Sequence, residues 1–107
     1  MRHTSIDQTA RLLELGFPEP ENDFPIENAG PYTWCQEAYT VDELLSFLPE
    51  KIGQDDELPS TLNICVIDGQ WIVEYADFLG SDFTTKSKSL IDALYDMILT
   101  LNEKGYL

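Results

Sequence analysis

The stretch Leu62-Asn-Ile-Cys-Val-Ile-Asp-Gly-Gln-Trp-Ile-Val-Glu-Tyr75 decides the fold. It reads as a β-hairpin closed by Asp68-Gly69, because both central positions of a type I′ turn need φ > 0, which Asp tolerates and Gly adopts freely. With those two residues as the loop, Ile67 faces Gln70, Val66 faces Trp71, Ile64 faces Val73 and Leu62 faces Tyr75. Side chains alternate across a strand, so Leu62, Ile64, Val66, Trp71, Val73 and Tyr75 share one apolar face directed at the core. The second face carries Asn63, Cys65, Ile67, Gln70, Ile72 and Glu74, a mixed set.

Working outward, the last segment supplies a helix for that apolar face. Ser89 with Asp92 has capping-box spacing. Leu90, Leu94, Met97, Ile98 and Leu101 form a stripe, widened by Ile91, Ala93 and Tyr95. Gly105 ends the helix, and Tyr106 folds back onto Leu101. Residues 77 to 85 read as a link between hairpin and helix.

Upstream, Tyr39-Thr-Val-Asp-Glu-Leu44 is a helix start: Thr40 caps, Glu43 reaches back, and Tyr39 staples onto Leu44. Val41, Leu44, Leu45 and Leu48 are its expected buried side, and Pro49 stops it. Residues 50 to 59 read as a polar connection. The first helix runs from about Ser5 to Leu15, capped by Ser5 with Gln8, with Thr4 and Asp7 as a competing frame. Ile6, Ala10, Leu13 and Phe17 recur at helical spacing, joined by Leu12. Gly16 takes the left-handed position after it and Phe17 packs back on Leu12. Between Pro18 and Gly30 three prolines, the pair Gly30-Pro31 at its end and a scatter of carboxylates predict an irregular segment, either a binding segment or a tether.

The expected fold is therefore α+β, a single domain over 1–107. A small antiparallel sheet, with the hairpin 62–75 at its centre, packs against about three helices. Two strands alone are marginal. That argues for Tyr32–Cys35 as a third strand, or for pairing between two chains as a homodimer.

Twenty acidic residues against six basic ones give a formal charge of −14. There is no Lys or Arg from Leu12 to Glu50, nor from Ile52 to Thr85. Such a surface repels phosphates and argues against direct nucleic-acid binding. It suits solubility or a basic protein partner. No apolar run approaches a membrane span. Cys35 and Cys65 form no C-x-x-C pair and no secretory pattern precedes them, so the expected setting is cytoplasmic with both thiols reduced.

Little points to catalysis. His3, the sole histidine, lies beside a terminus expected to fray, so nucleophile–base pairs are poorly served. One histidine and two cysteines fall short of a structural zinc site. Asp55, Asp56 and Glu57 lack calcium-loop spacing, and the glycines are too scattered for a phosphate loop. No enzyme activity, metal or cofactor is expected. The candidate protein-binding residues are Tyr32 and Trp34, aromatic within an acidic surface, and Cys65, Ile67 and Ile72 on the hairpin's second face.

Leu15-Gly-Phe-Pro-Glu-Pro20, Tyr39-Thr-Val-Asp-Glu-Leu-Leu45 with Leu48-Pro49, Trp71-Ile-Val-Glu-Tyr75 and Ser89-Leu-Ile-Asp-Ala-Leu94 together resemble small uncharacterised proteins of phages and mobile elements of gut bacteria. The resemblance spans most of the chain. Its motifs are stops, caps and core positions, so it implies a small intracellular α+β domain in a phage-related setting and transfers no functional residue. Two functions follow as expectations: a protein–protein interaction module, and an acidic nucleic-acid mimic. Mimicry requires Glu19, Glu21, Asp23, Glu27, Asp42, Glu43, Glu50, Asp55, Asp56 and Glu57 to form one stripe.

Overall fold

A computed structural model describes residues 3–25, 35–53, 59–77 and 80–107. The element order is α1 (Ile6–Glu14), β1 (Asn22–Pro25), β2 (Cys35–Ala38), α2 (Val41–Phe47), β3 (Lys51–Ile52), β4 (Ser60–Ile67), β5 (Gln70–Asp77), β6 (Gly80–Ser87) and α3 (Leu90–Glu103). Two antiparallel sheets result, β1-β2 and β3-β4-β5-β6. The fold is α+β.

The hairpin has the expected register throughout, from Leu62 opposite Tyr75 to Ile67 opposite Gln70. Asp68 and Gly69 hold φ of +52° and +76°, as a type I′ turn requires. Val73 and Tyr75 are fully buried, and Leu62, Ile64 and Trp71 pack against the same core. The core's other wall is α3, through Ile91, Ala93, Leu94, Met97, Ile98 and Leu101, with Leu44 of α2, Leu48 just after it, Leu12 of α1 and Tyr39 completing it. Each such side chain contributes about 1.5–3 kcal/mol before entropy is counted.

Local stop and start chemistry is present where the residues predict it. Ser5–Gln8 and Thr40–Glu43 form complete capping boxes. After α1 the Phe17 amide bonds the Leu12 carbonyl at 3.1 Å and the Gly16 amide bonds that of Leu13 at 3.0 Å, a Schellman motif with Gly16 at φ +94°. Tyr106 returns to Leu101 in the same way, at 2.9 Å. At α3 the Ser89 hydroxyl accepts from the Asp92 amide at 3.3 Å. The Asp92 carboxylate does not reach back; it accepts from Gln8 Nε2 at 2.7 Å and ties α3 to α1.

Several expectations are corrected. The hairpin's described neighbours are β6 and the short β3, and Cys35, expected to pair beside the hairpin, opens β2 and sits opposite Pro25 of β1 in the other sheet. Tyr32, Thr33 and Trp34 lie outside the described residues. Residues 80–85, expected as part of the link over 77 to 85, belong to a full strand, β6. Phe83, Thr85 and Ser87 alternate inward, and the Thr85 hydroxyl meets the Ala93 carbonyl at 2.7 Å, which lets a polar residue face α3. The segment after Pro18 contains β1, and the connection after Pro49 contains β3, where Ile52 is buried. On α1 the phase is different from that expected. Thr9 and Leu12 are buried, while Ile6 is 58% exposed and Leu13 also faces water. The cause is a buried hydroxyl chain. The Tyr39 amide donates to Thr4 Oγ1 at 2.9 Å, Thr4 donates to Thr9 Oγ1 at 2.7 Å, and Thr9 donates to the Ser5 carbonyl at 2.8 Å.

Candidate interaction surface

The turn at Asp68-Gly69 carries the end of the hairpin past the part of the sheet that the core covers. Val66, expected on the core face, is 52% exposed, and Ile67 on the opposite face is 54% exposed. Cys65, beside them, is an exposed free thiol. The end of the hairpin therefore offers an aliphatic side chain on each face of the sheet. Of the residues singled out in the sequence, this brings Cys65 and Ile67 together at the surface. Ile72 does not join them: it is only 9% exposed, on an interior strand between Cys65 of β4 and Lys86 of β6. Tyr32 and Trp34 lie outside the described residues. Val66 was missed because its alternation places it with the core residues, and only the reach of the covering helix decides that it is open.

A second surface feature lies at the other sheet's side. Pro18, Glu19, Glu21, Asp42, Glu43 and Phe47 line a shallow groove of about 390 Å³ together with Ser46. Phe47, in its lining, belongs to an aromatic group: Phe17 and Phe47 have centroids 5.0 Å apart, and Tyr39 meets Phe47 edge-on at 5.5 Å. The Tyr39 hydroxyl donates to the Pro18 carbonyl. Burial raises the Tyr39 phenol above its ordinary pKa, and the charges of Glu43, Glu19 and Glu37 raise it further. Glu43 is engaged in structure, accepting from the Thr40 amide with one oxygen and from the Glu21 amide with the other, each at 3.2 Å. Asp23 stands directly opposite Glu37 on the β1-β2 ladder, a like-charge pair that costs stability. Of the ten carboxylates that would build a mimic, Glu27, Asp55, Asp56 and Glu57 lie outside the described residues.

His3 is not frayed. It bridges to Thr40, its Nδ1 lies 2.9 Å from the Thr4 carbonyl, and its ring stacks on Phe24 at 4.2 Å. It fastens the N-terminal segment onto the small sheet. Among the described residues no group of three or more His, Cys, Asp or Glu side chains is placed to hold a metal ion. No helix among them is long and apolar enough to cross a membrane.

The chain matches no protein-family model, no curated protein and no solved structure.

Proposed function

We propose that this chain is a non-enzymatic protein-binding module and that the end of the β4-β5 hairpin is its contact surface. The observation that carries the reading is the exposure of Val66 and Ile67 on the two faces of one strand end, in a chain otherwise rich in carboxylates. Apolar side chains gathered at one place on a charged surface are what a partner removes from water. The I′ turn holds them rigidly, which lowers the entropy lost on binding. The test is a pull-down from bacterial lysate with the wild-type chain and with Val66→Asp/Ile67→Asp. Capture of one defined protein that survives high salt and disappears with the double variant is the expected result. Equal capture by both chains, or none, counts against it.

The acidic groove favours a second reading, a nucleic-acid mimic in a phage-related setting. Glu19, Glu21 and Asp42 lie along one groove with Glu43, and Asp23 and Glu37 flank each other on the neighbouring strands. In that case the captured proteins are basic nucleic-acid binders that elute as salt is raised. Capture would then fall with Glu19→Gln/Glu21→Gln/Asp42→Asn and not with the hairpin variants.

A further inference from the structure

The four-stranded sheet has two edges, and they are built differently. At one edge β6 carries Asp82 and Lys86, charges of the kind that guard exposed strand edges. At the other edge β3 pairs only with Ser60 and Thr61 of β4, and the Leu62 amide bonds the Glu50 carbonyl at 3.0 Å. Peptide groups alternate in direction along a strand. Ile64 and Val66 therefore aim their N–H and C=O groups the same way as Leu62, away from β5. Among the described residues no strand pairs with them there. The open stretch Asn63-Ile-Cys-Val-Ile67 contains no charge, proline or glycine. Nothing in its side chains repels another strand.

We propose that this edge pairs antiparallel with the same edge of a second copy of the chain, about a two-fold axis at Cys65. The proposal rests on the reading of the hairpin end as a contact surface and names its occupant. The open stretch is centred on Cys65, so the register is self-complementary. Ile64 falls opposite the partner's Val66, and Val66 opposite the partner's Ile64. These are the residues whose backbone groups point outward, so each pair exchanges both of its hydrogen bonds. Val66 packs beside the partner's Ile64 on the helix-covered face. On the other face Ile67 lies beside the partner's Asn63, and the two Cys65 side chains meet at a close, non-hydrogen-bonded position, with Cα atoms about 4.5 Å apart. The pairing stops at Asn63 opposite the partner's Ile67, because the outward side of Leu62 is already taken by Glu50; Asp68 of one copy then comes beside Glu50 of the other, a like-charge approach that salt screens. The two sheets become one continuous sheet.

The test is sedimentation of the full chain over a range of concentration and salt. The apparent mass should double with concentration. The midpoint should move to lower concentration as salt rises, because each copy carries a formal charge of −14 and salt screens the repulsion between them. A basic partner would respond in the opposite sense. Val66→Pro removes an outward N–H without touching the β4-β5 ladder and should leave a monomer at every concentration. A second measurement does not depend on that variant folding. Cys35→Ser chains treated with diamide, which takes up the two electrons and two protons of a thiol pair, should become covalent dimers linked through Cys65. A monomer under all conditions, or a dimer indifferent to Val66→Pro and unlinked at Cys65, overturns the proposal. If the monomer still captures a protein that Val66→Asp/Ile67→Asp loses, the contact-surface reading stands and only the second copy is wrong. If that capture also fails, both fall.

Discussion

Thr4 and Thr9 illustrate how a single hydroxyl can outweigh a greasy stripe. Ile6, Ala10 and Leu13 have helical spacing, yet α1 turns Thr9 inward because its hydroxyl completes the chain from the Tyr39 amide to the Ser5 carbonyl. Thr4→Val keeps the shape and removes the link, leaving the Tyr39 amide buried without its acceptor. The expected loss is about 1–3 kcal/mol, read as a lower urea midpoint with an unchanged slope. Tyr75 makes a second prediction at this scale. Burial pushes its phenol up to about 12 from an ordinary 10, while its hydroxyl donates to the Pro49 carbonyl at 2.7 Å. The folded state holds this proton where the unfolded chain has released it. The stabilisation is therefore complete below pH 10 and is lost as pH rises towards 12. Thermal melts of wild type and Tyr75→Phe across that window should converge as pH rises, the variant losing less.

Among the elements, those marked by caps, stops or an apolar alternation were legible and those without such a mark were not. The capping boxes at Ser5 and Thr40, the stops at Gly16 and Gly105 and the hairpin register all follow from contacts within a few residues. Three strands were missed, β1, β3 and β6, and β2 was anticipated only at Cys35. β1 and β3 are only four and two residues long, and β6, Gly80–Ser87, has a single large apolar side chain, Phe83, so none of the three shows an apolar alternation of its own. Missing β6 is also why Ile72 was expected at the surface: without the strand carrying Lys86, its side of β5 is open. Cys65 and Ile67 were legible as surface candidates from alternation alone. The groove at Glu19, Glu21 and Asp42 was not, since it depends on how the segment after Pro18 returns to α2. The Gln8–Asp92 hydrogen bond likewise joins residues 84 positions apart. A double-mutant cycle with Gln8→Ala and Asp92→Ala should return a coupling of about 0.5–1.5 kcal/mol between α1 and α3. Gly69→Ala acts locally, placing a Cβ at φ +76°, and should cost about 1 kcal/mol of hairpin stability.

For the whole molecule, charge is the dominant long-range term. With twenty carboxylates against six cations, the compact state is strained by its own field, and Asp23 opposite Glu37 is a local instance. The ion pair Arg11–Glu14 is exposed and 3.4 Å long and offsets little. Thermal stability should therefore rise on going from low to moderate sodium chloride. Asp23→Asn and Glu37→Gln should each raise the melting temperature at low salt, with little effect at high salt. A melting temperature that falls with salt would indicate that specific ion pairs outweigh the repulsion.

The hydroxyl chain through Thr4 and Thr9 also makes the Tyr39 amide a reporter. That amide lies between β2 and α2, in a connection where isotope exchange with solvent is ordinarily fast. Here its proton is held by the Thr4 side chain, 35 residues earlier, so deuterium should replace it only when the N-terminal segment lifts away. The exchange rate at this one position thus measures how often the N-terminal segment lets go, separately from any opening of the hairpin.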